Sequence, residues 1–282
     1  MFDLRLENSN ENIVDLNDGE HYEVINASGF TPPSASLFTS KSPNRKGLKH
    51  NGSTLNERII VIQVKLLGNV EESRNALYSW VEPEQYAKIY FRNGAKNVYC
   101  EGYVEACDID LFTDNEIVNV EILCGDPYLK DFNEILVEIS KLSKQFTFPF
   151  AIGSAGIPFS TLKESNVTSV FNAGAETGVQ FVILCTEPIT SITLFDADNT
   201  ARQFVINHSF AEGCQIVIDT DASPKTCRAI NPNGVSENIL RYVKGNPTWF
   251  TLKKGINRFG YNVGGAEAVE MTVGFTNKYT GV

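Results

Sequence analysis

The sequence is poor in the residue types from which catalytic and metal sites are built. Its three histidines, His21, His50 and His208, lie far apart without ligand spacing, so no zinc-type cluster is written into the chain. The six cysteines, Cys100, Cys107, Cys124, Cys185, Cys214 and Cys227, include no C-x-x-C pair. An even number permits disulfides, but scattered cysteines in a long chain are expected as reduced, buried thiols. There is no phosphate-binding P-loop and no dinucleotide-type glycine turn. Gly153-Ser154-Ala155-Gly156 has Ile152 where a nucleophile elbow needs glycine. The carboxylates of Asp108-Ile109-Asp110 and Asp114-Asn115-Glu116 lack the close ligands and central glycine of a calcium loop, and fit a hairpin turn better. No carboxylate pair stands out as a glycoside-cleaving dyad, whose members meet only in space. The chain is therefore expected not to be an enzyme and to need no cofactor or metal.

Positive charge is also short. The 282 residues hold 24 Lys+Arg against 34 Asp+Glu, a net charge of −10, which argues against non-specific nucleic-acid binding. No stretch of about 18 apolar residues is present to span a membrane. The start, Met1-Phe2-Asp3-Leu4-Arg5, lacks a basic segment leading into an apolar one, so a signal peptide is not expected. The sequons at Asn26, Asn51, Asn166 and Asn207 carry no meaning without secretion.

What is present is a core-forming composition, 42% hydrophobic and 11% aromatic, in a chain long enough for one large or two ordinary domains. Residues 1–142 read as a first domain. Within it, residues 27–56 are rich in Gly, Pro, Ser, Asn and basic residues and read as a long loop or projecting arm. Arg58–Leu67 alternates with Ile60, Ile62, Val64 and Leu66 on one face, the pattern of a half-buried strand. Asn69 with Glu72 predicts a capping box opening a helix over Val70–Trp80, which Pro83 stops. Lys88–Phe91, Val98–Asp108 and Glu116–Cys124 read as further strands. Asp131 with Glu134 predicts a second helix, with Phe132, Ile135, Leu136, Ile139 and Leu142 as its apolar stripe.

Residues 143–165, with Pro149, Gly153, Gly156 and Pro158, read as a linker. Residues 166–282 then show apolar runs about every ten residues between turn signals, the spacing of an antiparallel sandwich or jelly roll. The expected strands are Val179–Cys185, Ile189–Phe195, Gln203–Ile206, Gln215–Ile218, Thr248–Leu252, Ile256–Val263 and Val269–Phe275, with turns at residues 196–199, Lys254-Gly255 and Gly264-Gly265. The fold class is thus mainly β with minor α, in two domains.

Two binding readings follow from the residues. Tyr242, Trp249, Phe259 and Tyr261 in the second domain are candidate sugar-stacking aromatics, with core packing as the alternative for Trp249. The other reading rests on charge. Residues 1–132 carry −9 and residues 133–282 carry −1. The arm bears Lys41, Arg45, Lys46 and Lys49, with no acid among them. Residues 97–129 hold eight acids and no Lys or Arg, including Glu101, Glu105, Asp108, Asp110, Asp114 and Glu116. Complementary patches on one chain favour self-association, here the basic arm of one copy on the acidic surface of the next; a solvated loop beside a solvated face is the alternative.

Three features together resemble the distal tail protein family of siphophages infecting Gram-positive bacteria. They are the order of arm, strand Arg58–Leu67 and helix Val70–Trp80; the segment Ile122-Leu123-Cys124-Gly125-Asp126-Pro127-Tyr128; and the closing stretch Val273-Gly274-Phe275-Thr276-Asn277-Lys278-Tyr279-Thr280-Gly281-Val282. The resemblance implies a first, β-sandwich-like domain that builds a hexameric hub ring around a DNA channel, with the arm embracing the neighbour. It implies a second, galectin-like sandwich facing outward. Its implied partners are other copies of the chain, the tail tube protein, a tail-tip hub or tail-associated lysin, and receptor-binding or baseplate proteins. The implied place is the virion tail tip, after assembly in the host cytoplasm. The rival expectation is a carbohydrate-binding adhesin contacting cell-wall glycans.

Overall fold

The computed structural model describes residues 2–43, 46–94, 96–109, 111, 116–139, 167–265 and 269–282, together with the backbone of 142–144 and 160–162. It divides into two units, residues 1–132 with 278–282, and residues 133–277. The division falls ten residues before the expected boundary at 142, and the last five residues return to the first unit.

The first unit runs β1 (Phe2–Asn8), β2 (Ile13–Asp15), β3 (Tyr22–Ser28), β4 (Ala35–Ser40), β5 (Lys49–Leu55), β6 (Arg58–Leu66), α1 (Val70–Tyr78), β7 (Tyr86–Asn93), β8 (Lys96–Ile109), β9 (Ile117–Cys124) and β10 (Leu129–Asp131). The order across its main sheet is β2-β1-β7-β8-β9-β6-β3, all antiparallel, with β10 added beside β8. Alternation decides which face is buried. Ile60, Ile62 and Val64 of β6 and Val118, Val120 and Ile122 of β9 are fully buried, each opposite its partner across the ladder. β1, next to the short edge strand β2, and the opposite edge strand β3 both contribute to one apolar cavity of about 520 Å³, through Leu4 on one side and Val24 and Ala27 on the other. The sheet therefore curls until its edges approach.

Helix α1 lies where the sequence places it, but it ends at Tyr78 and forms no capping box. Asn69 makes no side-chain bond to the helix backbone, and its amide instead meets Glu72 Oε2 at 3.3 Å. Leu77 and Ser73 are the helix's buried residues; Ser73 Oγ donates to the Leu67 carbonyl at 3.0 Å, and its own carbonyl accepts from the Tyr22 hydroxyl at 3.0 Å.

The expected second helix is a strand. In the second unit β11 (Ile135–Ile139) pairs along its whole length with β22 (Val269–Phe275). Ile135, Val137 and Ile139 alternate as well as the chosen stripe spirals, and β-branched residues facing an open strand edge favour the ladder. The expected stripe member Leu142 falls in β12 (Leu142–Lys144), which pairs with β13 (Ser160–Leu162). Most of the expected linker lies outside the described residues.

The remaining strands are β14 (Val167–Asn172), β15 (Gln180–Cys185), β16 (Ile189–Asp196), β17 (Asn199–Ile206), β18 (Gln215–Asp219), β19 (Thr226–Ile230), β20 (Ser236–Asn238) and β21 (Gly255–Gly265). They form two antiparallel sheets, β11-β22-β15-β18-β19-β20 and β14-β21-β16-β17. Both sheets feed one core, as a sandwich requires. At its centre Phe181, Phe250 and Phe259 meet edge to face, with ring centroids 5.4–6.1 Å apart. Gly264 and Gly265, expected in a turn, lie in β21, and Thr248–Leu252 is reduced to a single bridge between Leu252 and Thr177. Last, β23 (Lys278–Tyr279) pairs with β10 in the first unit.

All six cysteines are free, five of them buried and Cys107 half-buried. Burial pushes the Cys185 and Cys227 thiols up to about 12. A thiol-reactive dye added to the native protein is expected to label at most Cys107, with the other five appearing only in denaturant. Rapid native labelling of two or more thiols would contradict this packing.

Candidate assembly surfaces

The arm is a two-stranded hairpin, β4 with β5, paired from Ala35↔Leu55 to Ser40↔Lys49. Every residue of β4 is exposed. Leu37 and Phe38 are 64% and 56% exposed, and Leu48 beyond them is 65% exposed. An isolated two-stranded ribbon is marginal in water, and apolar side chains on such a ribbon gain from being covered. Lys41, Lys46 and Lys49 are exposed on this hairpin, and no acid occurs between Glu23 and Glu57. Arg45 lies outside the described residues.

The arm's root is fastened by Arg58, which is 1% exposed. Its guanidinium donates to four carbonyls: Pro127 at 2.9 Å, Thr31 at 3.0 Å, Thr280 at 2.7 Å, and Gly29. Burial pulls its pKa down from the ordinary arginine value. The carbonyls take the role of a counter-ion, each satisfying a donor that would otherwise be buried unpaired. One side chain thus holds together the arm's entry, the Gly125–Tyr128 turn and the returning segment 278–282.

The expected acidic surface is only partly uncompensated. Glu101 accepts from Lys130 at 3.0 Å and from the Tyr86 hydroxyl at 3.1 Å. Desolvation raises the Glu101 pKa, but these bonds outweigh it and the net direction is down; for Lys130, desolvation opposes the same pairing, and the net direction is up. Asp126 also lies 3.6 Å from Lys130, and Glu116 pairs with Arg74 at 2.7 Å. Glu105 and Asp108 are exposed. Asp110 and Asp114 lie outside the described residues. The acid-only run in sequence is thus relieved by cations from other elements, a compensation that adjacency in sequence does not reveal.

The sequence reading missed an apolar row on the same outward face. Cross-strand register sets Ile59 of β6, Leu123 of β9, Tyr103 of β8 and Tyr86 of β7 side by side. Ile59 is 42% exposed, Leu123 37% and Tyr103 59%. Alternation was the available signal, since Ile59 and Leu123 take solvent-facing positions of strands whose alternate residues point inward. Glu121 follows Leu123 on this face, and a bulge at Glu105 follows Tyr103.

In the second unit, two of the expected sugar-stacking aromatics are corrected. Phe259 is 5% and Tyr261 1% exposed, both in the core, because the inward positions of β21 fall on them. Trp249 is half-buried against Phe204, edge to face at 5.0 Å. Tyr242 has His208 stacked at 3.9 Å and the Arg241 guanidinium over its ring at 4.7 Å. This ring is therefore already engaged by two neighbours. Among the described residues no group of three or more His, Cys, Asp or Glu is arranged to hold a metal ion, and no helix is long and apolar enough to cross a membrane.

Residues 172–279 match the family model of the siphovirus-type tail component, C-terminal domain. Over these residues the chain is similar to the C-terminal domain of that tail component. The distal-tail architecture also extends over the rest of the chain. The crystal structure of the phage SPP1 Dit protein, described as a paradigm of hub adsorption apparatus in Gram-positive infecting phages, superposes with a TM-score of 0.71 at 13% identity, covering 98% of this chain and 99% of that one. A chain of the phage p2 baseplate in its activated conformation matches with TM-scores of 0.52 with Ca and 0.51 with Sr, at 12% identity over the whole of both chains. At these identities the likeness is one of fold. No curated protein matches the sequence significantly.

Proposed function

We propose that this chain is a structural subunit of a phage tail tip, in which six copies close into a hub ring. The ring joins the tail tube to the host-adsorption apparatus and leaves a channel for DNA. Its neighbours are the tail tube protein, a tail-tip hub protein or tail-associated lysin, and receptor-binding or baseplate proteins, met at the virion tail tip after assembly in the host cytoplasm. The observation that carries the reading is the arm, an exposed hairpin with uncovered Leu37, Phe38 and Leu48, cations and no acid. We assign its seat to the neighbouring copy's sheet face, where Ile59, Leu123 and Tyr103 offer apolar cover and Glu105, Asp108 and Glu121 offer opposite charge. A contact between two different patches of the same chain is head to tail and closes into a ring when the rotation permits. The role is mechanical and involves no chemical step. The acidic first unit suits a passage for DNA, because a like-charged lining does not trap the strand.

Solution mass tests the reading. Light scattering over a concentration series at low and high salt should give a hexamer, or a monomer–hexamer equilibrium weakened by salt. Phe38→Glu, and separately Lys46→Glu with Lys49→Glu, should shift the protein to monomer while its far-ultraviolet spectrum stays unchanged. An assembly of undiminished mass in both variants would overturn the arm contact. A wild-type monomer at every concentration and salt would overturn self-assembly of the isolated chain.

A further inference from the structure

The second unit carries a polar pocket that the hub role does not use. It is a depression of about 290 Å³ where the hairpin between β16 and β17 meets the turn leading into β21. Asp196, Asp198, Arg202, Lys253, Lys254 and Arg258 supply its charged lining.

These groups are held in place. Arg202 Nη1 donates to Asp196 Oδ2 at 2.9 Å, and the other oxygen of Asp196 accepts the Asp198 amide at 3.0 Å. Arg258 Nη1 reaches Asp198 Oδ1 at 3.4 Å, and its backbone carbonyl accepts the Ala197 amide at 2.9 Å. The turn at 253–257 is clamped by one side chain: Asn257 Oδ1 accepts the Lys253 amide at 2.9 Å, and Asn257 Nδ2 donates to the carbonyls of Lys253 at 2.7 Å and Gly255 at 3.1 Å. Gly255 takes the left-handed conformation this turn needs, with φ of 101°.

The charges do not balance locally. The two arginines are matched by the two aspartates. Glu176 beside the pocket is engaged by the Thr251 hydroxyl. Lys253 and Lys254 have no ion-pair partner among the described residues, and the clamped turn holds both in the pocket wall. Two exposed lysines in succession on this turn raise the local positive potential, which a bound anion lowers.

The rim is apolar. Ile256, which also lines the pocket, is 70% exposed, and its cross-strand partner Phe171 is 63% exposed. Phe195 continues this outer face: it sits opposite Gly260, and a Cβ at that glycine would overlap the Phe195 ring.

Fixed planar donors and acceptors, a cationic wall and an exposed apolar rim are the combined needs of one ligand class. Saccharides present hydroxyls in fixed directions and a C–H face that packs on apolar side chains. We propose that this pocket binds an acidic saccharide. Arg202, Arg258, Asp196 and Asp198 meet its hydroxyls, Lys253 and Lys254 its carboxylate or phosphate substituent, and Ile256 with Phe171 its apolar face. The position differs from the aromatics expected from sequence, which are core residues or already stacked.

A glycan array bearing uronic-acid, sialic-acid and phosphate-substituted oligosaccharides beside neutral ones tests this on the full chain. Acidic oligosaccharides should bind, and affinity should fall about tenfold or more in Lys253→Gln with Lys254→Gln. Ile256→Ser should weaken the same glycans without altering their rank. All three substituted positions are on the surface, so thermal unfolding is expected to be unchanged. Absence of any acidic glycan above the neutral background overturns the proposal. So does binding that survives the lysine substitutions. Binding that ignores Ile256→Ser and is matched by inorganic phosphate overturns it too, since that is charge attraction alone. Solution mass reads the hub assembly separately, so failure here leaves that reading standing.

Discussion

Arg58→Met should destabilise the first unit by about 3–5 kcal/mol. The methionine fills most of the volume, so the loss is chiefly that of the hydrogen bonds. Carbonyls of Gly29, Thr31, Pro127 and Thr280 lose their shared donor in a site where the arginine is 1% exposed. Each buried acceptor left unpaired costs about 1–3 kcal/mol, and partial relaxation toward water keeps the total below the simple sum. Arg58→Lys should recover only part of the loss, because an ammonium is a compact point with three donors and cannot match a flat fork spanning four carbonyls. Denaturant unfolding followed through the first unit's signal gives the answer. Unchanged midpoints for Arg58→Met would show that the four carbonyls are satisfied without it. Amides of segment 278–282 should also exchange hydrogen faster in this variant, since Arg58 bonds the Thr280 carbonyl.

Gly29→Ala should cost about 3 kcal/mol or more, by a different route. Gly29 has φ of 92°, in the left-handed region that a β-carbon disfavours. An added Cβ would overlap the Ile59 carbonyl oxygen and stand 2.9 Å from Ile60 Cα. Both obstacles are backbone of the central strand β6, which cannot move aside as a flexible side chain could. The substitution also disturbs the Gly29 carbonyl that Arg58 bonds, so the two sites are coupled. Gly29→Ala combined with Arg58→Met should cost less than the two separate losses added together. Strict additivity would mean that the glycine serves only its own turn. In the proposed ring, Gly29→Ala should also weaken assembly, because it displaces the arm at its root.

Much of the fold was legible in the sequence. Strict alternation along Arg58–Leu66 and Ile117–Cys124 gave both strands and their buried faces, because one-sided burial forces a period of two. The helix after Asn69 was legible from its spacing and the stop at Pro83. The strand Ile135–Ile139 was misread, since its apolar residues satisfy both periods and only the partner at 269–275 settles the choice. The return of Lys278 and Tyr279 to β10 could not be read, because no local pattern encodes a pairing across some 150 residues. The arm was legible as a segment unable to fill a core, but its exposed Leu37 and Phe38 were hidden in a polar average. The acidic surface was overstated for the same kind of reason: Lys130 and Arg74 reach Glu101 and Glu116 from elsewhere in the fold. Two of the four candidate sugar-stacking aromatics failed on phase. Phe259 and Tyr261 fall on the inward positions of β21, and an aromatic-rich run does not declare which side of its sheet it faces.

The path of the chain also orders events during synthesis. Residues 278–282 belong to the first unit, yet the ribosome makes them only after all of 133–277. Until then β10 has only β8 beside it, and Arg58 lacks the Thr280 carbonyl. A nascent chain can build its curled sheet early, but the latch at the arm's root closes only once the second unit has emerged. Translation thereby acts as a timer: a chain interrupted before residue 278 would carry an unlatched arm.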